Sequence, residues 1–353
     1  MAQARSEAED WATTGEIVAA ARRRMTREVS DYIEGGADSE TTLRRNREAF
    51  DSWALRPRIL RDVRHVDLSA RVLGLPVSMP VFPTAIGSLN LLHPDGALEV
   101  ARGAVAAGTT SMVGILSTPD VETIGREIGR PLMLQLYVRG DDDWLADIAR
   151  RAEEAGYYAL ALTVDSAVYG RRERDLVNRF SSGKAVDRPA LAGTDAARRA
   201  EFQAATDWRT LERLRTATRL PIVLKGVMDA EDARLALEAG VDGIYVSNHG
   251  GRQLDHAPSA LEGLEEIADA VGGRTEILFD GGIVRGTDIL KALCLGANSV
   301  GLGKMQALAL AAGGQAAVER LLHLLGVEMR NALALMGQTV VTGLDRSCLR
   351  RVR

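Results

Sequence analysis

A chain of 353 residues that is 46% hydrophobic and 26% charged has enough apolar content for one large domain or two small ones. Its net charge of −4, with no long basic stretch, argues against nucleic acid as a partner; Arg22-Arg23-Arg24 reads as the solvated face of a helix. No apolar run reaches membrane-spanning length, acidic Glu7, Glu9 and Asp10 precede any hydrophobic run, and two cysteines make no disulfide framework, so a cytoplasmic location without membrane contact is expected.

Residues 14–34 read as a helix with a polar Thr14 near its start, closed at Gly35-Gly36 where a left-handed cap is cheap, with Tyr32 in the last turn. Residues 39–50 read as a second helix with Ser39 as N-cap, and Trp53 to Leu60 as extended chain. Together they form an N-terminal cover over residues 1–78. From residue 79 a repeat sets in. Ala104-Val-Ala-Ala-Gly108, Ala152-Glu-Glu-Ala-Gly156, Leu235-Ala-Leu-Glu-Ala-Gly240 and Ala292-Leu-Cys-Leu-Gly296 each close a helix with glycine before an apolar strand. Those strands are 109–114, 158–165, 243–248 and 299–303. Met79–Pro83 and the strands 131–137, 221–226 and 275–280 bring the count to eight. Strands that are apolar throughout are covered on both faces and therefore parallel, and eight such units over about 220 residues predict a closed (β/α)8 barrel over residues 79–330. A C-terminal helix and tail over 331–353 complete a single domain. The alternative, an open doubly wound sheet, lacks a Gly-x-Gly-x-x-Gly fingerprint after the first strand. Cys294 lies in an apolar helical run and reads as a small core residue.

Barrel chemistry gathers just past the C-terminal ends of the strands. There the chain places Pro83-Thr84-Ala85, Gln135 and Tyr137, Thr163 and Asp165, Arg171-Arg172, Lys225, His249 and Arg252, Asp280-Gly281-Gly282, and Gly303-Lys304. The densest stretch is Ser247-Asn-His-Gly-Gly-Arg-Gln-Leu-Asp255. So many polar groups at the end of a buried strand are costly without partners, and they are read as facing a ligand. A histidine can exchange protons near neutral pH, and an arginine can hold a carboxylate or phosphate bidentately. Glycine loops after the last two strands form the usual barrel phosphate site, so a phosphorylated ligand is implied.

These stretches, with Asp31-Tyr32, Arg56-Pro-Arg-Ile-Leu60, His93-Pro-Asp-Gly96 and Lys225-Gly-Val227, resemble the FMN-dependent α-hydroxy-acid oxidase and dehydrogenase family over nearly the whole chain. That is the group of glycolate oxidase, lactate oxidase and mandelate dehydrogenase. The resemblance implies FMN and oxidation of an (S)-2-hydroxy acid to the 2-oxo acid, with oxygen or another electron acceptor restoring the flavin. It also implies a homotetramer. His249 would take a proton from the substrate, with Asp165 supporting its imidazolium. Arg252 and Tyr32, assisted by Arg172, would hold the carboxylate, and Tyr137 the hydroxyl. Lys225 would face the flavin, where positive charge favours the reduced ring. Pro83, Thr84, Ala85, Gln135 and Thr163 would hold the ring, and Ser247, Asp280, Gly281, Gly282, Arg285, Gly303 and Lys304 the rest of the cofactor. Leu116 and Tyr169, with Ala85 and Ile86, would line a side-chain pocket roomier than glycolate needs, favouring medium or aromatic 2-hydroxy acids. No metal is assigned. Alternatives within the same architecture are oxidation of an amine or a modified peptide end, and redox-neutral flavin chemistry.

Departures from the family pattern concern the cofactor. Gly114 stands where the family has a serine, Val284 where it has an arginine toward the phosphate, and Lys304 where it has another arginine. The loop Ile86–Leu92 is two residues longer than usual. Arg285 is expected to take over the phosphate, and the stretch from Ser181 to Asp207 to act as a lid.

Overall fold

A computed structural model describes residues 7–181, 191, 194 and 198–352; most of the expected lid lies outside them. Eight strands form one parallel sheet: β1 Val81–Pro83, β2 Met112–Gly114, β3 Leu132–Leu136, β4 Tyr157–Thr163, β5 Ile222–Val227, β6 Gly243–Val246, β7 Glu276–Phe279 and β8 Ser299–Leu302. β1 pairs with β8, and the ladder then runs in sequence from β8 back to β2. The barrel is nearly closed. Across the remaining seam, side chains replace the ladder: the Thr109 hydroxyl donates to the Val81 carbonyl at 2.6 Å and the Ser111 hydroxyl to the Pro83 carbonyl at 3.5 Å. Pro83 has no N–H to offer a neighbour. The strands are buried on both faces, as their unbroken apolar runs require. Phe82, Met112, Met133, Val223, Tyr245 and Leu278 fill the interior, while Val81, Val113, Leu134, Leu224, Ile244 and Phe279 pack outward under the helices.

A hairpin absent from the sequence reading, Ala70–Val72 with Leu75–Val77, plugs the N-terminal end of the barrel. Its turn is tied to the start of β7 through Leu73 and Gly74 N–H bonds to the Glu276 carboxylate. The other end is left to the N-terminal cover and the loops.

The cover differs from expectation in three places. The single helix over 14–34 is two, Thr14–Arg24 and Arg27–Glu34, because Thr26 caps a new N-terminus through its hydroxyl; the first starts at Thr14, as expected, with Thr13 before it in a capping box with Glu16. Gly35 ends the second helix with φ −68°, so no left-handed cap forms; a Cβ there would sit 2.5 Å from the Asp31 carbonyl, and close packing is what demands glycine. The third helix runs Thr41–Asp51 with Glu40 at its N-cap in the left-handed region, and the Ser39 hydroxyl bonds Asp255 at 2.8 Å instead of capping. At the far end of the chain, Trp53–Leu55 pairs antiparallel with Leu349–Arg351. One helix, Lys304–Leu335, kinked at Gly313-Gly314, carries the barrel into the tail across residue 330.

Candidate active site

Past the C-terminal ends of the strands lies a cavity of about 910 Å3, walled by strand-end side chains below and the cover above. Tyr32, Leu116, Tyr137, Tyr169, Arg172 and Arg252 line one end, with His249 among them. Thr84, Ala85, Gln135 and Lys225 line the middle, and Asp280, Gly281, Gly282, Gly303 and Lys304 lead to the other end.

His249 stands at φ +59°, a conformation costly for a residue with a Cβ, directly after β6. Its Nδ1 lies 3.1 Å from both Asp165 oxygens and its Nε2 3.2 Å from the Tyr137 hydroxyl. Asp165 is lodged against Gly226, whose φ of +105° and lack of side chain are both needed: a Cβ there would meet Asp165 at 2.6 Å. Burial by itself would raise the Asp165 carboxyl, but the His249 charge and hydrogen bond, then Lys225, hold it below the usual carboxylate range. Burial, then Tyr169 and Asp165, push the Tyr137 hydroxyl far above ordinary phenol values, so it remains a proton donor. A proton-accepting imidazole nitrogen is thus aimed into the cavity with its other nitrogen backed by a carboxylate.

Beside it, Arg252 donates to the Gly35 carbonyl at 2.8 Å and lies 5.2 Å over the Tyr32 ring; Arg172 lies 5.9 Å from the same ring. Burial and then Arg172 push Arg252 down to about 10, which leaves it charged at neutral pH. The Arg172 Nε is buried without a hydrogen-bond partner. Two guanidiniums facing one cavity, one with an orphaned donor, are complementary to a carboxylate.

In the middle wall, Lys225 donates to Ser247 at 2.9 Å and to Asp280 at 3.3 Å, and Ser247 donates to Asp280 at 2.6 Å. Lys225 also sits 4.5 Å from the Tyr245 ring. Gln135 donates to the Thr163 hydroxyl at 2.8 Å, leaving its carbonyl oxygen beside Gly114 to accept. At the far end, helix Lys304–Leu335 begins at Gly303 with no side-chain cap, so its first N–H groups are open to an anion.

The flavin implied by the resemblance fits this donor set. A buried cation and an amide face the mid-wall where a ring would lie, and an uncapped helix N-terminus with Gly281 and Gly282 stands where a phosphate would lie.

Not every expected residue reaches the cavity. Asp165, Thr163 and Ser247 act through His249, Gln135 and Lys225, and Pro83 is engaged with Leu302 in the ladder. Arg285 turns away to Glu328 at 2.9 Å and stays half exposed, because Glu328 offers it a carboxylate and Asp288 claims its backbone N–H. Much of the 247–255 stretch is scaffolding instead of ligand surface. Asn248 and Asn46 exchange side-chain hydrogen bonds at 2.8 Å, Gln253 bridges to the Asp165 and Val168 carbonyls, and Asp255 accepts from Thr42 and Ser39. Those buried polar groups are satisfied by protein, which single-sequence reasoning could not distinguish from satisfaction by ligand. Arg47 was missed: from the third cover helix it reaches the cavity, bonding the Gly282 carbonyl at 2.8 Å and Asp288 at 2.6 Å. Arg44-Arg45-Asn46-Arg47 carried no local signal separating this one arginine from its neighbours. Cys294 is buried and its thiol is pushed up by that burial, in keeping with a core role.

Residues 21–351 match the family model described as FMN-dependent dehydrogenase. Glycolate oxidase 1 of Oryza sativa subsp. indica is 40% identical over 345 residues, 94% of each chain, and a peroxisomal (S)-2-hydroxyacid oxidase of Arabidopsis thaliana is 38% identical over 340 residues, also 94% of each. Among solved structures, a mandelate oxidase variant with 2-hydroxy-phenylacetamide superposes with a TM-score of 0.89 at 39% identity, covering 96% of this chain and 98% of that one. A variant of an active chimera of (S)-mandelate dehydrogenase gives 0.91 at 35% identity, with 96% and 99% covered.

Proposed function

Since the chain belongs to the FMN-dependent dehydrogenase family, we propose that it oxidises an (S)-2-hydroxy acid to the 2-oxo acid, using the constellation around His249. One observation carries this: His249 is pinned between Asp165 and Tyr137 while Arg252 and Arg172 converge on the same space. FMN, when bound, supplies the acceptor for the substrate's electron pair. The protein's own groups do the rest. Arg252 and Arg172, braced by Tyr32, hold the carboxylate, which places the adjacent carbon and its hydroxyl near His249. His249 Nε2 takes a proton from the substrate, and Asp165, kept ionised, stabilises the imidazolium through Nδ1. Tyr137 donates to the substrate oxygen. Lys225 places its ammonium in the mid-wall, and Thr84, Ala85 and Gln135 would hold the ring there.

Anaerobic mixing of the yellow holoprotein with a panel of (S)-2-hydroxy acids tests the reading. Bleaching of the flavin by at least one of them is expected; a flavin that dithionite bleaches but no 2-hydroxy acid does would overturn it. Oxygen uptake in the same panel distinguishes oxygen from another acceptor. We further infer a homotetramer, supported by exposed Ile59, Leu60 and Leu335, whose segments the Arg58 N–H bond to the Leu335 carbonyl brings side by side. Light scattering reading a monomer at micromolar concentration would refute it.

A further inference from the structure

Arg139, two residues past Tyr137 at the end of β3, is only 6% exposed, and no carboxylate among the described residues lies within ion-pair distance of it. Its Nε is buried with no hydrogen-bond partner. Its guanidinium sits 5.3 Å from the Tyr137 ring centroid and 5.6 Å from that of Tyr169, two rings that line the substrate end of the cavity and meet edge to face at 6.4 Å. One of its terminal nitrogens donates to the Tyr169 hydroxyl. A buried arginine without a counter-charge is costly, and two aromatic faces offset only part of that cost.

Hydrogen-bond polarity says where the missing partner belongs. Arginine only donates, so the Tyr169 oxygen is the acceptor in that bond and its own O–H remains free to donate elsewhere. Tyr169 is half exposed and lines the cavity, so that O–H is accessible to an acceptor arriving from the cavity. The positive charges at this end point the same way. The carboxylate beside the reacting carbon occupies Arg252 and Arg172, and Asp175 is the further carboxylate near that pair; Arg139 is left over.

Resting on the function proposed above, we propose that Arg139 and Tyr169 form a second anion subsite for the far end of the substrate. The preferred substrates are then 2-hydroxy acids bearing a second carboxylate or comparable anionic group on the side chain. Tyr169 donates to that group directly, and Arg139 stabilises it through the same hydroxyl and by its charge.

The test compares 2-hydroxyglutarate with 2-hydroxypentanoate, of equal chain length but lacking the second charge, and with mandelate as a neutral aromatic. In anaerobic flavin reduction by the parent holoprotein, the diacid should exceed both in kcat/KM, by about 10- to 100-fold over 2-hydroxypentanoate. Arg139→Leu should remove most of that advantage while leaving the 2-hydroxypentanoate rate within about twofold, and Tyr169→Phe, at a residue that borders the side-chain pocket itself, should lower the diacid-to-monoacid ratio of kcat/KM to about the same value. The double variant should lose little more than either single one, because the two side chains act in series. Calorimetric binding of the products 2-oxoglutarate and 2-oxopentanoate should show the same selectivity without turnover. Should Arg139→Leu not fold, Arg139→Gln and Tyr169→Phe carry the test. Equal use of diacid and monoacid, mandelate as the best substrate, or an equal loss on all substrates in the variants would overturn the subsite. If the monoacids bleach the flavin and the diacid gains nothing, only the subsite falls; if no 2-hydroxy acid bleaches it, the underlying function falls as well.

Discussion

The two ends of the cavity are built to different standards. At the substrate end the charged groups are held by a second one or by an aromatic face: His249 by Asp165 at 3.1 Å, Arg252 by the Gly35 carbonyl and the Tyr32 ring, Arg172 beside the same ring. At the phosphate end the supports are backbone and a displaced cation. Val284 presents no charge, Arg285 is spent on Glu328, and Lys304 donates to the Glu34 and Gly35 carbonyls at 2.7 and 3.3 Å. Chemistry needs side chains placed to within a fraction of an ångström, whereas anchoring a phosphate can be shared among amides, a helix terminus and any nearby cation. Changes at the first end should therefore act on rate, and changes at the second on cofactor affinity.

The sharpest break would come at His249. Glutamine keeps a polar side chain of similar reach but removes the base, so single-turnover flavin reduction by the best 2-hydroxy acid should fall by about 10^2- to 10^4-fold. A substrate analogue should still perturb the flavin spectrum, and the FMN content should match the parent. Reduction at nearly the parent rate would show that another group takes the proton. Arg252→Met comes next. Losing a buried charged contact to the carboxylate should cost roughly 2–5 kcal/mol in kcat/KM and weaken analogue binding as well, because the acid loses both its partner and its placement. An Arg252→Met protein that keeps analogue affinity would mean that Arg172 carries the carboxylate alone.

How much of this was legible beforehand follows the same division. The eight buried strands announced themselves because apolar runs closed by glycine repeat with the period of a barrel, and the strand-end chemistry followed from the rule that barrels put their sites there. The hairpin at 70–77 did not, since Ala70-Arg-Val-Leu-Gly-Leu-Pro-Val77 is too short and mixed to show a strand period. In the 247–255 stretch the error was one of assignment: the polar groups are costly to bury, as expected, but Asn248, Gln253 and Asp255 find their partners in the cover and in the loop after β4. Contacts more than 80 residues apart in sequence carry no local signal. Arg285 failed in a similar way over a shorter separation, its partner Glu328 being on the helix after the next strand.

At the phosphate end, Lys304 gives the comparison a pH signature. Burial and then Arg252 push its amine down to about 7, with Arg174 acting in the same direction and Glu40 and Glu34 opposing. A folded-state pKa below the free lysine value means that the unfolded chain binds more protons, so this group makes the apoprotein more stable as pH rises from about 7 toward the free value. A phosphate favours the ammonium and reverses that preference. FMN binding should then take up a proton above pH 7, and its Kd should rise by about tenfold or more between pH 7 and 9. Lys304→Arg, charged throughout this range, should flatten the profile. Equal pH dependence in parent and variant would place the titrating group elsewhere.

The smallest expected effect is a gain. Val284 lines the cavity beside Gly282, and its N–H donates to Asp288 at 3.0 Å, so the backbone at this position is already fixed by the start of the following helix. An arginine there would start from a placed backbone, yet it would enter a space that Arg47 borders, and the two like charges would oppose each other. Arg47 is itself balanced by two hydrogen bonds to Asp288, which limits that repulsion. A partly exposed charged contact is worth on the order of 0.5–1.5 kcal/mol, so Val284→Arg should lower the Kd of FMN about two- to tenfold. Val284→Met, of comparable reach without charge, should leave it unchanged. Titration of the apoprotein with FMN, followed by quenching of flavin fluorescence, measures both. Flavin reduction in the saturated Val284→Arg protein should match the parent, because nothing at the substrate end has moved. If the Kd stays the same, the phosphate does not lie against residue 284, and the far end of the cavity is anchored by Gly303, the helix N-terminus and Lys304.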